Sequence, residues 1–236
     1  MKAMILAAGR GERMRPLTDE RPKPLLKVNG KALVEWHIEA LKEAGIDDII
    51  INTSWLGELI PEYLGDGAYW GVNLSFSPEE QALETAGGIR KALDFFENEP
   101  FIVVNGDVWT DIDYTPIAKE PEASAHIVLV PNPEHHPEGD FCVTEGGKVK
   151  SEGEPKLTFS GVGVYHPKVF ADLPEDEAIP LGPILRQLME QDEVTYELYQ
   201  GRWHDIGTPE RLQKLNESFQ RKLKTIEFNL ENDKNV

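Results

Sequence analysis

The fold is decided by the start of the chain, which reads Ala3-Met4-Ile5-Leu6-Ala7-Ala8-Gly9-Arg10-Gly11-Glu12-Arg13-Met14-Arg15-Pro16-Leu17-Thr18 and then Arg21-Pro22-Lys23-Pro24-Leu25. The short apolar run predicts a buried strand over Ala3 to Ala7. In the loop that follows, glycine lets backbone N–H groups approach a polyphosphate closely, because it has no Cβ to hold the ligand away. The basic side chains downstream supply positive charge. We therefore expect a phosphate-binding loop directly after the first strand.

Two familiar phosphate motifs do not fit this loop. A P-loop requires Lys and then Ser or Thr after its second glycine, whereas Gly11 is followed by Glu12 and Arg13. The dinucleotide fingerprint requires a small residue three places after Gly11, where Met14 stands. A P-loop and a nicotinamide site are therefore both excluded.

Charge is distributed unevenly along the chain. The whole sequence has 24 basic and 42 acidic residues and a formal net charge of −18, which argues against a nucleic-acid or membrane surface. Residues 1–31 nevertheless hold eight basic side chains against three acidic ones, leaving 16 basic and 39 acidic residues elsewhere. A basic opening (+5) on an acidic remainder (−23) indicates a small anionic ligand.

Composition also bears on the compartment. Cys142 is the single cysteine, so an internal disulfide is impossible and a reducing cytoplasm is expected. The first apolar run is too short for a signal peptide, and no run approaches the roughly 20 apolar residues of a membrane span. We expect a soluble cytoplasmic protein.

The first half of the sequence alternates strand-like and helix-like segments, which is typical of helices covering a mainly parallel sheet. Strands are predicted at 3–7, 48–52, 73–76 and 101–105, and helices at 33–44, 55–64 and 85–96. Ligands collect at the carboxyl ends of such strands, so Gly9 to Arg15, Asn52 and Asp107 are expected to converge. The predicted fold is a Rossmann-like three-layer α/β/α arrangement with a mainly parallel mixed central sheet.

The second half is richer in strands. They are predicted at 126–131, 141–144, 157–166 and 195–199, with helices at 181–191 and 209–221. We expect one domain over 1–225, with a nucleotide half at about 1–110, a second half at about 111–225 that carries a small β-rich lobe, and a polar tail at 226–236 that frays.

Asp107 is a candidate metal ligand. It follows an apolar strand in Asn105-Gly106-Asp107, and a carboxylate at the end of a buried strand suits Mg²⁺, which prefers oxygen ligands and bridges one or two carboxylates to substrate phosphates. Taken alone, such a turn is more often structural. Asp205 precedes a helix in Asp205-Ile206-Gly207-Thr208-Pro209, where a role in the turn also explains it.

The opening loop, followed by Pro22-Lys23, resembles the sugar nucleotidyltransferase family, whose signature is Gly-x-Gly-x-Arg-x-x-Pro-x-Thr and then Pro-Lys. The resemblance implies a GT-A-like fold, nucleotide binding by Ala8, Gly9, Gly11, Glu12, Arg13 and Lys23, catalytic roles for Arg15, Lys23 and Asp107, and Mg²⁺ held by Asp107 and Asp205. Here either Arg13 or Arg15 can hold the family's phosphate-binding role, and Arg15 is favoured because it adjoins Pro16.

A further segment, Gln81 to Ile89, resembles the family's base-recognition loop. The resemblance implies base pairing by the Gln81 amide and close approach of the nucleotide to Gly87. The alternative is an ordinary helix start with Thr85 as its N-cap.

Within the family, three runs resemble the members that join UTP to N-acetylmuramate 1-phosphate in cell-wall peptidoglycan recycling: Asn105-Gly106-Asp107-Val108-Trp109-Thr110-Asp111, Gly139-Asp140-Phe141 and Asp205-Ile206-Gly207-Thr208-Pro209-Glu210-Arg211-Leu212. That similarity extends from Met1 to about Leu215 and implies that Asn105, Asp140 and an acid near Glu152 bind the sugar. The sequence departs from the glucose 1-phosphate enzymes, which have a Glu-Lys pair where this chain has Glu152-Gly153-Glu154. That departure leaves the contacts to the acceptor phosphate open, with Lys156 as one candidate.

Two alternatives remain. One is the same chemistry with dTTP or CTP and another sugar 1-phosphate or phosphocholine. The other is a catalytically inactive regulatory subunit that binds nucleotide sugars, which predicts loss of a metal or phosphate residue. No nucleic-acid or membrane partner is expected, and the lack of hexapeptide repeats and of a long C-terminal extension predicts a monomer.

Overall fold

The computed structural model describes residues 1–119 and 121–233, with side chains as far as residue 222. Its strands are β1 Lys2–Leu6, β2 Lys27–Val28, β3 Lys31–Ala32, β4 Asp48–Thr53, β5 Asn73–Pro78, β6 Phe101–Asn105, β7 Val108–Thr110, β8 Ala125–Val130, β9 Phe141–Val143, β10 Val149–Lys150, β11 Lys156–Tyr165, β12 Val194–Leu198 and β13 Trp203–Asp205. Its α-helices are α1 Leu33–Glu43, α2 Leu59–Leu64, α3 Glu84–Lys91, α4 Leu181–Glu190 and α5 Pro209–Asp233.

A nine-stranded mixed sheet forms the centre of the molecule. Strands β5, β4, β1 and β6 lie side by side and are parallel, and β11 continues the sheet antiparallel to β6. Beyond β11 lie β8 and then β12, while β9 and β10 extend from the first residues of β11 as a small β-rich projection. The expected mainly parallel mixed sheet is confirmed, and one continuous sheet joins the two halves of the chain.

Alternate residues of each central strand face opposite layers. Ala3 and Ile5 of β1 belong to a core packed under α1 and α2, whereas Met4 belongs to the core under α3 and α4. Each face of the sheet is thus covered by helices, as an apolar strand buried on both sides requires. The predicted three-layer arrangement is therefore present.

A separate two-stranded ribbon, β7 with β13, lies beside the main sheet. Asp205 is paired with Val108, and Ile206 N donates to Asp107 O over 3.0 Å. A third apolar cluster, which includes Trp109 of the ribbon and Phe219 of α5, holds the ribbon in place. Asp107 and Asp205, almost one hundred residues apart in sequence, therefore lie at one end of one ribbon.

Three predicted elements differ from the observed ones. The helix expected at 85–96 is α3 followed by a separate 3₁₀ turn at Leu93–Phe96. The helix expected at 55–64 begins only at Leu59, because a turn closed by Gly57 N and Ser54 O precedes it. The helix expected at 209–221 is longer than predicted, since α5 continues to Asp233, and residues 234–236 of the predicted polar tail lie outside the described residues. None of the described helices is long and apolar enough to cross a membrane.

Candidate active site

The carboxyl ends of β1, β4 and β6 open into a cleft of about 440 Å³. The pairing register brings Leu6 opposite both Asn52 and Asn105, so three strand ends meet there. The cleft is lined by residues 6–14 and by Lys23, Pro24, Asn52, Ala82, Glu84, Thr85, Asn105, Asp107 and Gly207. The convergence predicted from the strand pattern is therefore observed, except for Arg15.

The loop after β1 is held in one shape by its own contacts. Gly11 has φ +68°, a left-handed conformation that favours glycine. Its carbonyl accepts from Met14 N at 2.9 Å and from Thr18 Oγ1 at 2.8 Å. Thr18 is fully buried. Because Thr18 closes the loop from beneath, the loop presents its backbone to the cleft without help from a ligand.

Two candidate arginines were left open by the sequence, and the structure separates them. Arg13 lines the cleft, and among the residues with described side chains it makes no ion pair. Arg15 does not line the cleft: its Nε is 2.7 Å from Asp19 Oδ1 and its Nη1 is 3.8 Å from Glu12 Oε2. Arg13 is therefore the arginine available to a bound phosphate.

Arg10 supports the loop in a way that sequence reasoning missed. Its guanidinium lies 3.5 Å from the centroid of the Trp55 ring, and both side chains donate to Thr18 O, at 3.1 Å from Arg10 Nη1 and 3.0 Å from Trp55 Nε1. Such stacking contributes about 0.5 to 2 kcal/mol. Arg10 and Trp55 therefore fix the far side of the phosphate loop.

Lys23 and Asp107 form an ion pair inside the cleft. Lys23 begins a 3₁₀ turn at Lys23–Leu25 and is buried, and its Nζ is 2.7 Å from Asp107 Oδ2. Both side chains line the cleft. The pair places a fixed ammonium next to a carboxylate at the end of β6.

Asp205 lies beside the cleft rather than in its lining. Its Oδ2 is 2.6 Å from Arg211 Nη1 and 3.3 Å from His135 Nε2. A Cβ added at Gly207, which does line the cleft, would lie 3.2 Å from Asp205 Oδ1 and 3.3 Å from Arg13 Nη2. Asp205 Oδ1 and the Arg13 guanidinium therefore both lie next to Gly207.

The base-recognition segment differs from its predicted arrangement. Ala82, Glu84 and Thr85 line the main cleft, whereas Gln81 lines a second cleft of about 470 Å³ on the other side of the loop. Gly87 lines neither cleft: a Cβ there would lie 2.1 Å from Glu177 O, so contact with that carbonyl explains the glycine.

The start of α3 is also capped differently from the prediction. Thr85 is not the N-cap: the Ile179 carbonyl accepts from the backbone N–H groups of Ala86, at 2.9 Å, and Gly87, at 3.2 Å. A neighbouring chain segment thus satisfies donors that a helix start leaves open.

The residues predicted to bind the sugar are spread over a wider area. Asn105 lines the cleft and packs over Gly161, where an added Cβ would lie 2.6 Å from Asn105 Nδ2. Asp140 accepts from Phe159 N at 2.8 Å and faces His136 Nε2 at 3.1 Å, so it fixes the junction of β9 and β11. Glu152 is exposed, and the structure gives it no polar contact among the described side chains. Only Asn105 of these three lies in the cleft lining.

A buried histidine supports the ribbon from below. His37 of α1 is 2% exposed; its Nε2 is 2.8 Å from Val108 O and its Nδ1 is 3.1 Å from Tyr114 Oη. Burial lowers the pKa of His37 to about 4. The neutral ring therefore donates from Nε2 to Val108 O and accepts from Tyr114, which fixes the strand that begins next to Asp107.

With this geometry, a phosphate loop, a buried lysine and two nearby carboxylates at the carboxyl edge of a parallel sheet define a class of protein. The chain belongs to the nucleotidyl transferase family: residues 2–222 match the family described as Nucleotidyl transferase.

Two bacterial relatives are similar to the chain over most of its length. It is 50% identical over 222 residues to the N-acetylmuramate alpha-1-phosphate uridylyltransferase of Neisseria meningitidis serogroup B, covering 91% of this chain and 96% of that protein. It is 34% identical to the protein of the same name from Caulobacter vibrioides, covering 88% of this chain and 92% of that protein. A solved structure of a putative glucose-1-phosphate thymidylyltransferase from Bacillus anthracis, in complex with a sucrose, is similar with a TM-score of 0.81 at 26% identity, covering 92% of this chain and 94% of that one. The family and fold expected from the opening motif are thereby confirmed.

Proposed function

We propose that this chain transfers a uridylyl group from UTP to N-acetylmuramate 1-phosphate, giving UDP-N-acetylmuramate and pyrophosphate. The observation that carries this proposal is the 50% identity to the Neisseria meningitidis enzyme across nearly the whole of both chains. The two clefts that flank residues 81–85 and the intact phosphate loop support it. The same reasoning makes peptidoglycan recycling the proposed role and the cytoplasm, where UTP is made, the proposed compartment.

In the proposed reaction, a phosphate oxygen of the sugar 1-phosphate attacks the α-phosphorus of UTP in line. The bond to the β-phosphate oxygen breaks, and pyrophosphate leaves with its electron pair. The acceptor is already anionic at neutral pH, so the chain has no need of a strong general base. Its task is to hold two anions together and to neutralise charge in the transition state. Lys23 and Arg13 are the cations placed to do so, and Arg13 replaces Arg15 in this role.

We propose Asp107 and Asp205 as the residues that hold Mg²⁺. Among the described side chains, one oxygen of each carboxylate is engaged by a cation, Lys23 or Arg211, and Oδ1 of each accepts no hydrogen bond. Two monodentate carboxylates suit Mg²⁺, which takes its other ligands from water and phosphate. No group of three or more His, Cys, Asp or Glu side chains within the described part of the chain is arranged to hold a metal. When bound, Mg²⁺ supplies positive charge to the phosphates.

The division of the chain also remains a proposal. We assign nucleotide binding to about 1–110 and sugar binding to about 111–225, with Asn105 at the border between them. Asp140 and Glu152 stay candidate sugar ligands. Asp140 is the stronger of the two, since its bonds to Phe159 N and His136 fix it in place.

Pyrophosphate release tests the proposal directly. UTP, CTP, dTTP and GTP are each combined with N-acetylmuramate 1-phosphate, N-acetylglucosamine 1-phosphate, glucose 1-phosphate or phosphocholine, with MgCl₂ present. We expect turnover with UTP and N-acetylmuramate 1-phosphate to exceed every other pair. Turnover of a different substrate pair alone overturns the assigned substrates. The absence of pyrophosphate release with every pair favours the inactive regulatory subunit.

A matched variant controls for contaminating activity. Asp107→Asn removes one carboxylate charge with little change in shape, so it is expected to abolish pyrophosphate release and leave the thermal unfolding midpoint within a few degrees of the parent. Wild-type turnover in this variant removes Asp107 from the site. The expected monomer is checked separately by light scattering.

A further inference from the structure

A buried pair of polar side chains lies between the phosphate loop and the base-facing loop, and one of the two, Asn52, lines the cleft. Asn52 in β4 is 2% exposed, and Glu79, directly after β5, is 5% exposed. Asn52 Nδ2 donates to Glu79 Oε1 over 2.8 Å. Burying a carboxylate is costly unless each oxygen is hydrogen-bonded, so this pair requires an explanation.

The outer ends of the pair bind the backbone of both loops. Asn52 Oδ1 accepts from Ala7 N at 2.7 Å, where β1 runs into the phosphate loop. Glu79 Oε2 accepts from Leu83 N at 2.8 Å, immediately before Glu84 and Thr85 of the cleft lining. Three hydrogen bonds in series therefore connect the phosphate loop to the base-facing loop through the interior.

Helix α3 is fitted around the same pair. A Cβ added at Gly88 would lie 2.8 Å from both Asn52 Nδ2 and Glu79 Oε1. No side chain at position 88 is compatible with the bond between them. This internal contact therefore explains the glycine at position 88.

The direction of each bond follows from the chemistry. Leu83 N can only donate, and Ala7 N can only donate, so Asn52 must turn its oxygen to Ala7 and its amide to Glu79. Both Glu79 oxygens then face donors, and the carboxylate form alone supplies two acceptors. Burial raises the pKa of Glu79, while its bonds to Leu83 and Asn52 act in the opposite direction.

We infer that Asn52 and Glu79 are positioning residues that fix the base-facing loop, residues 80–85, against the phosphate loop and thereby set the preference of the site for one nucleobase. This inference rests on the proposed use of UTP. Loop 80–85 meets the cleft through Ala82, Glu84 and Thr85, and Glu79 holds it at Leu83. Because the pair fixes this loop relative to the phosphate loop, it determines how far a base bound against the loop lies from the phosphates.

The first test is Glu79→Gln. A glutamine offers one acceptor and one donor to two facing donors, so one bond is lost and the loop shifts. We expect KM for UTP to rise about tenfold or more, because the shifted loop meets the base in a poorer position; a change of this size corresponds to the free-energy cost of one unpaired buried donor. The kcat at saturating UTP and the KM for the sugar phosphate are expected to stay within about threefold, and the preference for UTP over CTP is expected to fall.

An exposed acid outside both clefts provides the control. Glu99 carries the same charge and is exposed, and it lines neither cleft, so Glu99→Gln is expected to leave all four quantities unchanged. If Glu79→Gln behaves like Glu99→Gln, the inference is overturned.

A second variant reverses the polarity of the pair. In Asn52→Asp combined with Glu79→Gln, the carboxylate introduced in β4 accepts from Ala7 N and from the new amide, while the glutamine oxygen accepts from Leu83 N. Every bond is restored, with donor and acceptor exchanged only in the bond between positions 52 and 79, so KM for UTP and the preference over CTP are expected to return to within about threefold of the parent. A double variant as impaired as Glu79→Gln contradicts a positioning role and points to direct contact between Glu79 and the ligand.

Direct binding separates this inference from the proposed function. Calorimetry with UTP alone, without sugar phosphate, reports the nucleotide site whether or not turnover occurs. If the parent protein is inactive but its variants change in UTP affinity as expected above, the proposed reaction is wrong and the positioning role of Asn52 and Glu79 stands. If the parent is active but the variants bind UTP as tightly as it does, the positioning role is wrong. Should Glu79→Gln fail to fold, the double variant still decides between the two outcomes.

Discussion

Arg13 and Arg15 are two residues apart and carry the same charge, yet their surroundings differ completely. The Arg15 side chain is 56% exposed and is neutralised by Asp19 and Glu12. Arg13 lines the cleft without an acidic partner among the described side chains. A guanidinium free to make two hydrogen bonds matches the geometry of a phosphate.

The pair therefore gives a matched comparison. We expect Arg13→Ala to reduce kcat/KM about 100-fold or more, the size of effect produced by losing one donor to a developing charge. Arg15→Ala is expected to change kcat/KM by less than about threefold, because surface ion pairs contribute little. Steady-state pyrophosphate release measures both, and a larger loss in Arg15→Ala than in Arg13→Ala reverses the assignment.

His37 makes folding stability depend on pH. The unfolded chain binds a proton on this residue at its ordinary pKa of 6.5, whereas the native state does so only near pH 4. Between those values the unfolded state holds more protons, so stability is lost as the pH falls from 6.5 towards 4. The full difference corresponds to about 3 kcal/mol.

His37→Gln should remove this dependence. Measured by urea unfolding at pH 7, 5.5 and 4, the stability of the parent relative to the variant is expected to fall by about 3 kcal/mol across that range. Comparison with the variant cancels the titration of other groups. Parallel stability curves would show that His37 does not titrate in this way.

At this scale, sequence reasoning predicted the position of residues that follow a recognisable motif or strand end: Lys23, Asn105 and Asp107 line the cleft, as expected. It did not predict the positions of Arg15, which pairs with Glu12 and Asp19 outside the cleft lining, or of Gln81, which lines the second cleft. The direction of a side chain on a short loop depends on which partners it meets, and the sequence pattern does not give these. The roles of all five residues stay predictions. Glu79 was missed since nothing in its local pattern distinguishes it from the exposed Glu80 beside it.

Among the elements, α3 shows how a helix start can be fixed by a distant segment. Residues 177–179 pack against its first turn, with Ile179 O accepting from Ala86 N and Gly87 N and Glu177 O occupying the space of a Cβ at Gly87. The sequence predicts a helix here from its periodicity, but the glycine pattern reflects a contact made by the second half of the chain.

Gly87→Ala tests that contact by the sign of its effect. Alanine favours a helix over glycine by about 1 kcal/mol, yet its Cβ would overlap Glu177 O. We expect the variant to be destabilised by about 1 to 3 kcal/mol, as overpacking commonly produces. Gly146→Ala is the control, since its nearest atom is Thr144 Oγ1 at 3.9 Å and its φ is not positive. A stabilised Gly87→Ala, measured by thermal unfolding, contradicts the packing explanation.

The elements themselves were largely predictable. Strand β6 matches its predicted bounds, and β1, β4, β8, β11 and α1 differ by one or two residues at an end. Apolar runs make the strands recognisable, because these strands are buried on both faces of the sheet, and apolar residues at helical spacing make α1 recognisable. The start of α2 could not be predicted, since a turn at 54–57 determines where it begins. The end of α3 could not be predicted either, since the helical pattern runs on into the separate 3₁₀ turn at Leu93–Phe96.

At the scale of the whole molecule, the basic residues of the first 31 positions carry less unpaired positive charge than their number indicates. Of its eight basic side chains, five form ion pairs within the described structure: Lys2, Arg10, Arg15, Lys23 and Lys31. Of the three basic side chains that form no ion pair there, only Arg13 lines the cleft, so the unpaired positive charge in the cleft comes mainly from Arg13, while the chain as a whole is acidic.

That distribution predicts a modest dependence on salt. Raising NaCl from 50 to 500 mM shortens the screening length severalfold, so KM for UTP is expected to rise by roughly two- to fivefold. Binding of uridine, which has no phosphates, is expected to stay constant and serves as the control in calorimetry. A rise of a hundredfold or more would show that the whole basic segment attracts the ligand.

The ribbon of β7 and β13 has a consequence for how such a protein diversifies. Residues 111–202 lie between the two strands in sequence, so the chain leaves the ribbon after β7 and returns to it beside the same point, at the start of β13. That excursion contains the candidate sugar ligands Asp140 and Glu152, whereas the ribbon ends carry Asp107 and Asp205. Insertions or exchanges within the excursion leave the spacing of the two aspartates unaltered. On the proposed assignment, the choice of acceptor is therefore encoded in one contiguous stretch of gene, separate from the two residues proposed to hold the metal.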